Sequence, residues 1–324
     1  MAKVIGIGNA LVDVLIRSDD EKIINELGFP KGSMQLIDAG TSALIADKTK
    51  DFKKEMASGG SAANTIHGLA RLGMETAFIG TVGRDETGRF FEEDMKKSGI
   101  TPLLFKSDSP SGIANAFITK DGERTFGTFL GAAVELSGDM LKKELFEGYD
   151  ALHIEGYLVQ NHELIETALR LAKEAGLKIS LDLASFNVVE DNLDFLKEMT
   201  EKYVDILFAN EEEAKAFTGM EPKEALHEIS KSVDISVVKI GGKGSMVKQR
   251  ELIVNIEPIK ANPIDTTGAG DIYASGFLWG YLNGLGFEKA GYAGSLLAST
   301  VIEVIGAKFD DAKWDEIKKQ LQAG

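Results

Sequence analysis

Cysteine is absent from this 324-residue chain, which excludes disulfides, thiolate zinc sites and a cysteine nucleophile together. Histidine is scarce as well: His67, His153, His162 and His227 are the only four, and none shares metal-ligand spacing with another. No apolar run reaches the length needed to cross a bilayer; even Ile272 to Leu285 is short and broken by glycine. The first residues lack the basic start, apolar stretch and small-residue cleavage site of a secretory leader. Internal repeats, low-complexity tracts and Pro/Gly/Ser-rich linkers are also missing. The expectation is a cytoplasmic globular protein that needs no staple to hold its core.

Positive charge is outnumbered. Thirty-six Lys and Arg face 51 Asp and Glu, leaving a formal charge of −15. Such a surface repels nucleic acid phosphates and anionic membranes, so neither is expected as a partner. An anionic ligand would have to be held by local cations, amide dipoles or a metal. That is feasible because distant charges are screened within about 8–10 Å at cellular salt.

What the chain does contain is ordinary globular material, 44% hydrophobic and 27% charged. Between Tyr149 and Ile240 strands and helices alternate. Strand-like Ala151 to Ile154, Lys178 to Leu183, Ile206 to Ala209 and Ile235 to Ile240 are separated by helical Glu163 to Glu174, Leu193 to Lys202 and Glu211 to Phe217. That rhythm predicts an α/β fold with a mostly parallel sheet covered on both faces. Residues 10–40 and 100–130 break it, with strand character and turn signals such as Lys120-Asp121-Gly122-Glu123. They are expected to pair as a small antiparallel β lid inserted in a large domain of residues 1–9, 41–99 and 131–324.

The most informative segment is Asn262-Pro263-Ile264-Asp265-Thr266-Thr267-Gly268-Ala269-Gly270-Asp271, followed at once by a long apolar helical run. Gly268 and Gly270 allow a tight turn that leaves N–H groups free at a helix start, a natural anion site. Asp271, on the first turn, is placed to take a proton from an attacking hydroxyl while a phosphoryl group occupies that site. A capping acid after a tight turn accounts for the same residues without chemistry.

Asp-Thr-Thr-Gly-Ala-Gly-Asp resembles the C-terminal signature of the ribokinase-like, or PfkB, carbohydrate kinases. The resemblance implies a three-layer α/β/α domain with a β lid, and an enzyme that moves the γ-phosphoryl of ATP to an alcohol. It makes Asp271 the base and gives Gly268, Ala269 and Gly270 the anion-hole amides. Four further stretches are similar to family motifs and extend the likeness over nearly the whole chain. Gly8-Asn9-Ala10-Leu11-Val12-Asp13 and Ser58-Gly59-Gly60-Ser61-Ala62-Ala63-Asn64 imply substrate contacts by Asn9, Asp13, Gly59, Gly60 and Asn64. Asn210-Glu211-Glu212-Glu213 implies that Asn210 and Glu213 position phosphate and Mg²⁺, the glutamate through water. Lys239-Ile240-Gly241-Gly242-Lys243-Gly244 resembles the turn near the ATP phosphates and adenine, giving Lys239, Gly241, Gly242, Gly244 and, from the signature, Thr266 a place in nucleotide binding. It is not a P-loop, and the glycines around Asn9 do not complete a dinucleotide fingerprint.

Gly122-Glu123-Arg124-Thr125 looks like a stretch of the adenosine kinase-like branch whose arginine reaches the ATP phosphates, so Arg124 is expected to arrive with the lid. The family's potassium site maps near Asp265 and Thr267, which makes K⁺ a candidate cofactor beside ATP and Mg²⁺. The acceptor implied is a sugar or a nucleoside, with adenosine as the specific alternative and a non-catalytic sensor as the reading from another class. Phe117, Phe126 and Phe129 either stack on a base or pack the lid. A homodimer through the lid is a further expectation.

Overall fold

β-Branched and aromatic runs make the strands, and the switch from a two-residue to a 3.6-residue apolar period marks each helix. The computed structural model describes residues 2–17, 21–120 and 124–323. In chain order the elements are β1 (Lys3–Ile7), β2 (Leu11–Arg17), α1 (Lys22–Leu27), β3 (Met34–Leu36), α2 (Ala39–Lys48), β4 (Lys54–Gly59), α3 (Ser61–Arg71), β5 (Glu75–Gly83) and α4 (Glu86–Lys97). They continue with β6 (Ile100–Ser107), β7 (Gly112–Ile118), β8 (Arg124–Phe129), β9 (Ala151–Glu155), α5 (His162–Glu174), β10 (Lys178–Asp182), α6 (Phe186–Asp191), α7 (Leu193–Tyr203), β11 (Ile206–Asn210) and α8 (Glu211–Thr218). Last come α9 (Pro222–Ile229), β12 (Ile235–Lys239), β13 (Ser245–Gln249), β14 (Leu252–Ile256), α10 (Ala269–Leu282), α11 (Phe287–Val301) and α12 (Asp311–Ala323).

Among the described residues, nine strands form one large sheet in the order β14-β13-β12-β11-β10-β9-β1-β5-β6. All its pairings are parallel except the terminal β12-β13 and β13-β14 hairpins. Alternate strand residues feed two cores. Ile5, Ile7, Leu207, Ala209 and Val238 pack on the side of α5, α7, α8 and α9. Val4, Ile206, Phe208, Ile235 and Val237 face α3 and α10. Burial on both faces is why these strands read as continuous apolar runs. The expected three-layer arrangement is present.

The second sheet has the order β3-β8-β7-β2-β4. It differs from expectation in two ways. Its pairing is mixed: β2-β4 and β7-β8 are antiparallel, but β2-β7 and β3-β8 are parallel. Its strands also come partly from elsewhere. Lys54–Gly59, outside the two expected segments, closes one edge, while Ile100–Ser107 joins β5 at the edge of the large sheet. A six-residue helix, α1, further interrupts the first segment. Residues 121–123, the turn expected to lead into Arg124, lie outside the described residues.

Because the large sheet is mostly parallel, the carboxyl ends of β1, β9, β10, β11 and β12 open at one edge. Asn9, Glu155, Asp182, Asn210 and Lys239 stand there or directly after it. Ligands of open α/β sheets bind outside such ends.

Candidate active site

The helix α10 begins where Gly268 adopts a left-handed φ of +74°, a conformation that side chains resist. A Cβ on Gly268 would also lie 2.5 Å from the Ala307 Cβ. Asp271 follows on the first turn. Its Oδ1 accepts from Ser61 Oγ at 2.7 Å and its Oδ2 from Asn64 Nδ2 at 3.0 Å, while Thr65 Oγ1 donates to its carbonyl at 3.1 Å. All three donors belong to α3, which packs directly on α10. Burial pushes the Asp271 carboxyl up to about 7, against the pull of Asn64 and Ser61. The amides behind it are not equivalent, since Ala269 N–H donates to the Thr266 carbonyl at 3.2 Å.

Across the first turn stands Lys239. Its Nζ lies 2.7 Å from Asp182 Oδ2, and a Cβ on Gly270 would be 3.0 Å from that ammonium. Burial alone would lower the lysine, but Asp182, Glu213 and Asp271 push it up to about 12. Asn210 pairs in register with Lys239 and caps α8. Asn210 Oδ1 accepts from Glu213 N at 2.9 Å, and Glu213 accepts in return from Asn210 N at 2.8 Å and Asn210 Nδ2 at 2.6 Å. Burial, and then Asp182, push Glu213 up to about 7. Gly241 and Gly244 hold left-handed turns between β12 and β13, whereas Gly242 and Thr266 face open space or solvent.

On the other side, Asp13 projects from β2 beside Gly59. A Cβ on Gly59 would lie 2.3–2.5 Å from the Asp13 carboxylate, so glycine is required there. Burial pushes Asp13 up to about 6, while Lys308 and Arg124 pull it back. Gly60, at φ +97°, turns the chain into α3, and a Cβ there would lie 2.2 Å from the Asn9 carbonyl. Asn64 keeps its Oδ1 buried and without a hydrogen-bond partner. Asn9 is committed otherwise: its N and Nδ2 both donate to the buried Glu155 Oε1, at 2.9 and 2.7 Å.

Arg124 reaches from β8 to the signature loop. Its Nη1 lies 2.6 Å from Asp265 Oδ2 and 3.0 Å from Thr267 Oγ1, so the two residues expected to hold potassium share a guanidinium. Phe117 is fully buried against Phe29, with ring centroids 6.5 Å apart, and packs the small sheet. Phe126 lies under Arg124, and Phe129 lines a surface cavity. His67 and His153 are pushed down by burial, to about 3 and about 4, and stay neutral.

Three residues of this constellation lie outside the motifs that the sequence singled out for chemistry, Glu155, Asp182 and Lys308, and Ser61, inside one of them, carries an unexpected bond to Asp271. Lys308 Nζ donates to Ser58 Oγ at 2.6 Å and Asp94 Oδ2 at 2.7 Å, tying the C-terminal segment to β4 and α4. The local signal for Glu155 and Asp182 is an acid at the carboxyl end of an apolar strand.

The pfkB family of carbohydrate kinases matches residues 36–314. An uncharacterized sugar kinase of Archaeoglobus fulgidus is 30% identical over 248 residues, covering 74% of this chain and 96% of that protein. A nucleoside kinase of Methanocaldococcus jannaschii is 29% identical over 277 residues, 82% of this chain and 85% of that protein. Among solved structures, a probable sugar kinase from Rhizobium etli has a TM-score of 0.87 at 32% identity, covering 99% of this chain and 98% of that one. Adenosine kinase from Sinorhizobium meliloti gives 0.86 at 32% identity, covering 100% and 99%. With fold, cleft and signature in agreement, the chain belongs to the pfkB family of carbohydrate kinases and is a phosphotransferase with an alcohol as acceptor.

Proposed function

We propose that this enzyme transfers the γ-phosphoryl of Mg·ATP to a hydroxyl of a sugar or nucleoside, with Asp271 as the base. The observation that carries the reading is the Asp271 carboxylate, held by Ser61 and Asn64 at the start of α10 with its acidity lowered to about 7. A base poised near neutrality is matched to taking a hydroxyl proton. Asp13, Gly60 and Asn64, whose Oδ1 has no partner, orient the acceptor so that one hydroxyl meets Asp271. Lys239 and the amides of the 268–270 turn receive the phosphates on the opposite side. Arg124, arriving from the small sheet, covers the signature loop and excludes water.

Magnesium fits this donor set in one manner. No group of three or more acids or histidines could hold a metal among the described residues, so the ion would enter with the nucleotide's phosphates. Glu213 and Asn210 would hold it through water, because both Glu213 oxygens already accept bonds from Asn210. Bound there, the ion would offset phosphate charge during transfer.

A nucleoside acceptor has its own support. Asp13, Ala114, Thr128 and Leu36 are directly opposed across β2, β7, β8 and β3, so they share one sheet face. Beyond Leu36 that face opens into a cavity of about 450 Å³ with Ile37, Phe129, Leu130 and Val134 in its lining. A sugar held at Asp13 would direct an attached base along this apolar row, and adenosine is the specific form of that reading.

The test is ADP release with Mg·ATP against adenosine, inosine, ribose, fructose, 2-keto-3-deoxygluconate and tagatose, with Asp271→Ala as the blank. One acceptor turning over far above the blank is the expected result, and its identity fixes the substrate class. Nucleotide binding with no turnover of any acceptor would favour a sensor, and near-normal turnover by Asp271→Ala would remove Asp271 as the base.

A further inference from the structure

Asp182 ends β10 nearly buried, with both oxygens engaged. Oδ2 accepts from Lys239 Nζ at 2.7 Å and Oδ1 from the backbone N–H of Ala184 at 3.1 Å. The second bond demands an unusual turn. Ala184 has φ +66° and is one of two non-glycine residues in the left-handed region among the described residues. Gly156 packs beneath that turn, where a Cβ would lie 2.6–2.7 Å from the Leu183 and Asp182 carbonyls. Backbone strain of this kind persists only where the surroundings enforce it, and it gathers at functional sites.

What the strain secures is the place of Lys239. The ammonium sits against Gly270, at the positive end of α10, and its charge is held there by the acids Asp182, Glu213 and Asp271. A buried ion pair is no economical way to stabilise a fold. Two positive features converge there on one spot, which suits an incoming anion far better than an empty protein. Gly270 directly precedes Asp271, which faces the acceptor. The phosphate nearest that point must be the one transferred, not the inner two.

We infer that Asp182 is a positioning residue that fixes the Lys239 ammonium over the Gly270 turn, where it grips the terminal phosphate of ATP in preference to the inner phosphates. This rests on the nucleotide-binding role proposed above for Lys239. Asp182 itself touches neither nucleotide nor acceptor.

The experiment is calorimetric binding of Mg·AMP-PNP and Mg·ADP, which needs no acceptor and reads the terminal phosphate as the ratio of the two Kd values. The wild type should bind AMP-PNP more tightly than ADP. Lys239→Met should reduce that ratio by roughly tenfold, the worth of a hydrogen bond to a charged group. Asp182→Asn should reduce it by at least about threefold while changing the ADP Kd less than about twofold. In Asp182→Asn/Lys239→Met the ratio should equal that of Lys239→Met alone, because Asp182 acts only through the lysine.

A merely structural Asp182 would weaken both nucleotides alike and leave the ratio intact, which overturns the inference. So does a wild-type ratio of one, a ratio unmoved by Lys239→Met, or a double variant that falls below Lys239→Met. In those cases nucleotide binding itself still stands, whereas failure of the wild type to bind either nucleotide removes both readings. Should Asp182→Asn not fold, because it leaves a buried ammonium without its counter-ion, the double variant against Lys239→Met decides alone.

Discussion

At Asp271 the same burial that tunes the base also burdens the fold. Its carboxyl is pushed from an ordinary value near 3.8 up to about 7 by burial, with Asp182 adding to the rise. The folded state therefore binds a proton that the unfolded chain has already released between those two values. Stability from this group falls as pH rises from about 4 and is fully lost above about 7. Asp271→Asn removes the ionisable group, so its melting temperature should exceed the wild type's at pH 8 and approach it near pH 4. Thermal unfolding at both values checks this, and equal shifts at the two would contradict it. Activity should run the opposite way. Only the ionised base accepts a proton, so kcat should decline as pH drops through about 7, and Asp271→Asn should cost roughly a hundredfold or more in kcat.

Two helices hold that carboxylate, and their spacing depends on one residue. Gly68 of α3 faces α10, where a Cβ would lie 2.2 Å from Ser275 Oγ. The Ser275 hydroxyl is committed to the Ile272 carbonyl at 2.7 Å and cannot easily swing away. Gly68→Ala should push the helices apart, costing about 1–3 kcal/mol by overpacking. Because Ser61 and Asn64 ride on α3 while Asp271 rides on α10, kcat should also fall. Chemical unfolding with initial rates tests the pair of effects; a stability loss at full kcat would show that the cradle tolerates the shift.

Elements were also where the sequence was legible and where it was not. Strands of the large sheet between Ala151 and Lys239 announce themselves, because burial on both faces leaves uninterrupted apolar runs between amphipathic helices. The run from Asp265 to Asp271 is contiguous, so its turn, helix start and acid can be read in one glance. Lys54–Gly59 has few apolar residues and reads as loop, and it becomes a strand only by pairing with β2. Ile100–Ser107, expected in the small sheet, joins the large one instead because its pairing partner is β5, a contact that nothing local in the segment announces. Ser61 is separated from Asp271 by 210 positions, and nothing local in either marks the bond. Asp182 looked like any strand-ending acid, since its lysine lies 57 positions away.

Across the whole molecule the small sheet meets the signature loop through Arg124 and Asp265, whose side chains are 7% and 5% exposed. Asp265 also accepts from Thr267 N at 3.1 Å and Gly306 N at 2.8 Å, so its carboxylate is saturated by donors from the signature loop and the C-terminal segment. Removing one partner of such a pair strands a buried charge, which typically costs about 3 kcal/mol or more. Arg124→Met should therefore destabilise the enzyme strongly, while Arg124→Met/Asp265→Asn recovers much of the loss. Urea unfolding of the three proteins measures this, and additive losses would mean that the pair is not coupled. The same saturation bears on monovalent cations. With the guanidinium already neutralising Asp265 and bonded to Thr267, a potassium ion at these two residues gains little. Turnover of the wild type should accordingly change by less than about twofold when KCl is replaced by NaCl or tetramethylammonium chloride at equal ionic strength. A clear potassium-specific activation would mean that Arg124 leaves Asp265 during the catalytic cycle and that the small sheet separates from the signature loop and re-engages it with each turnover.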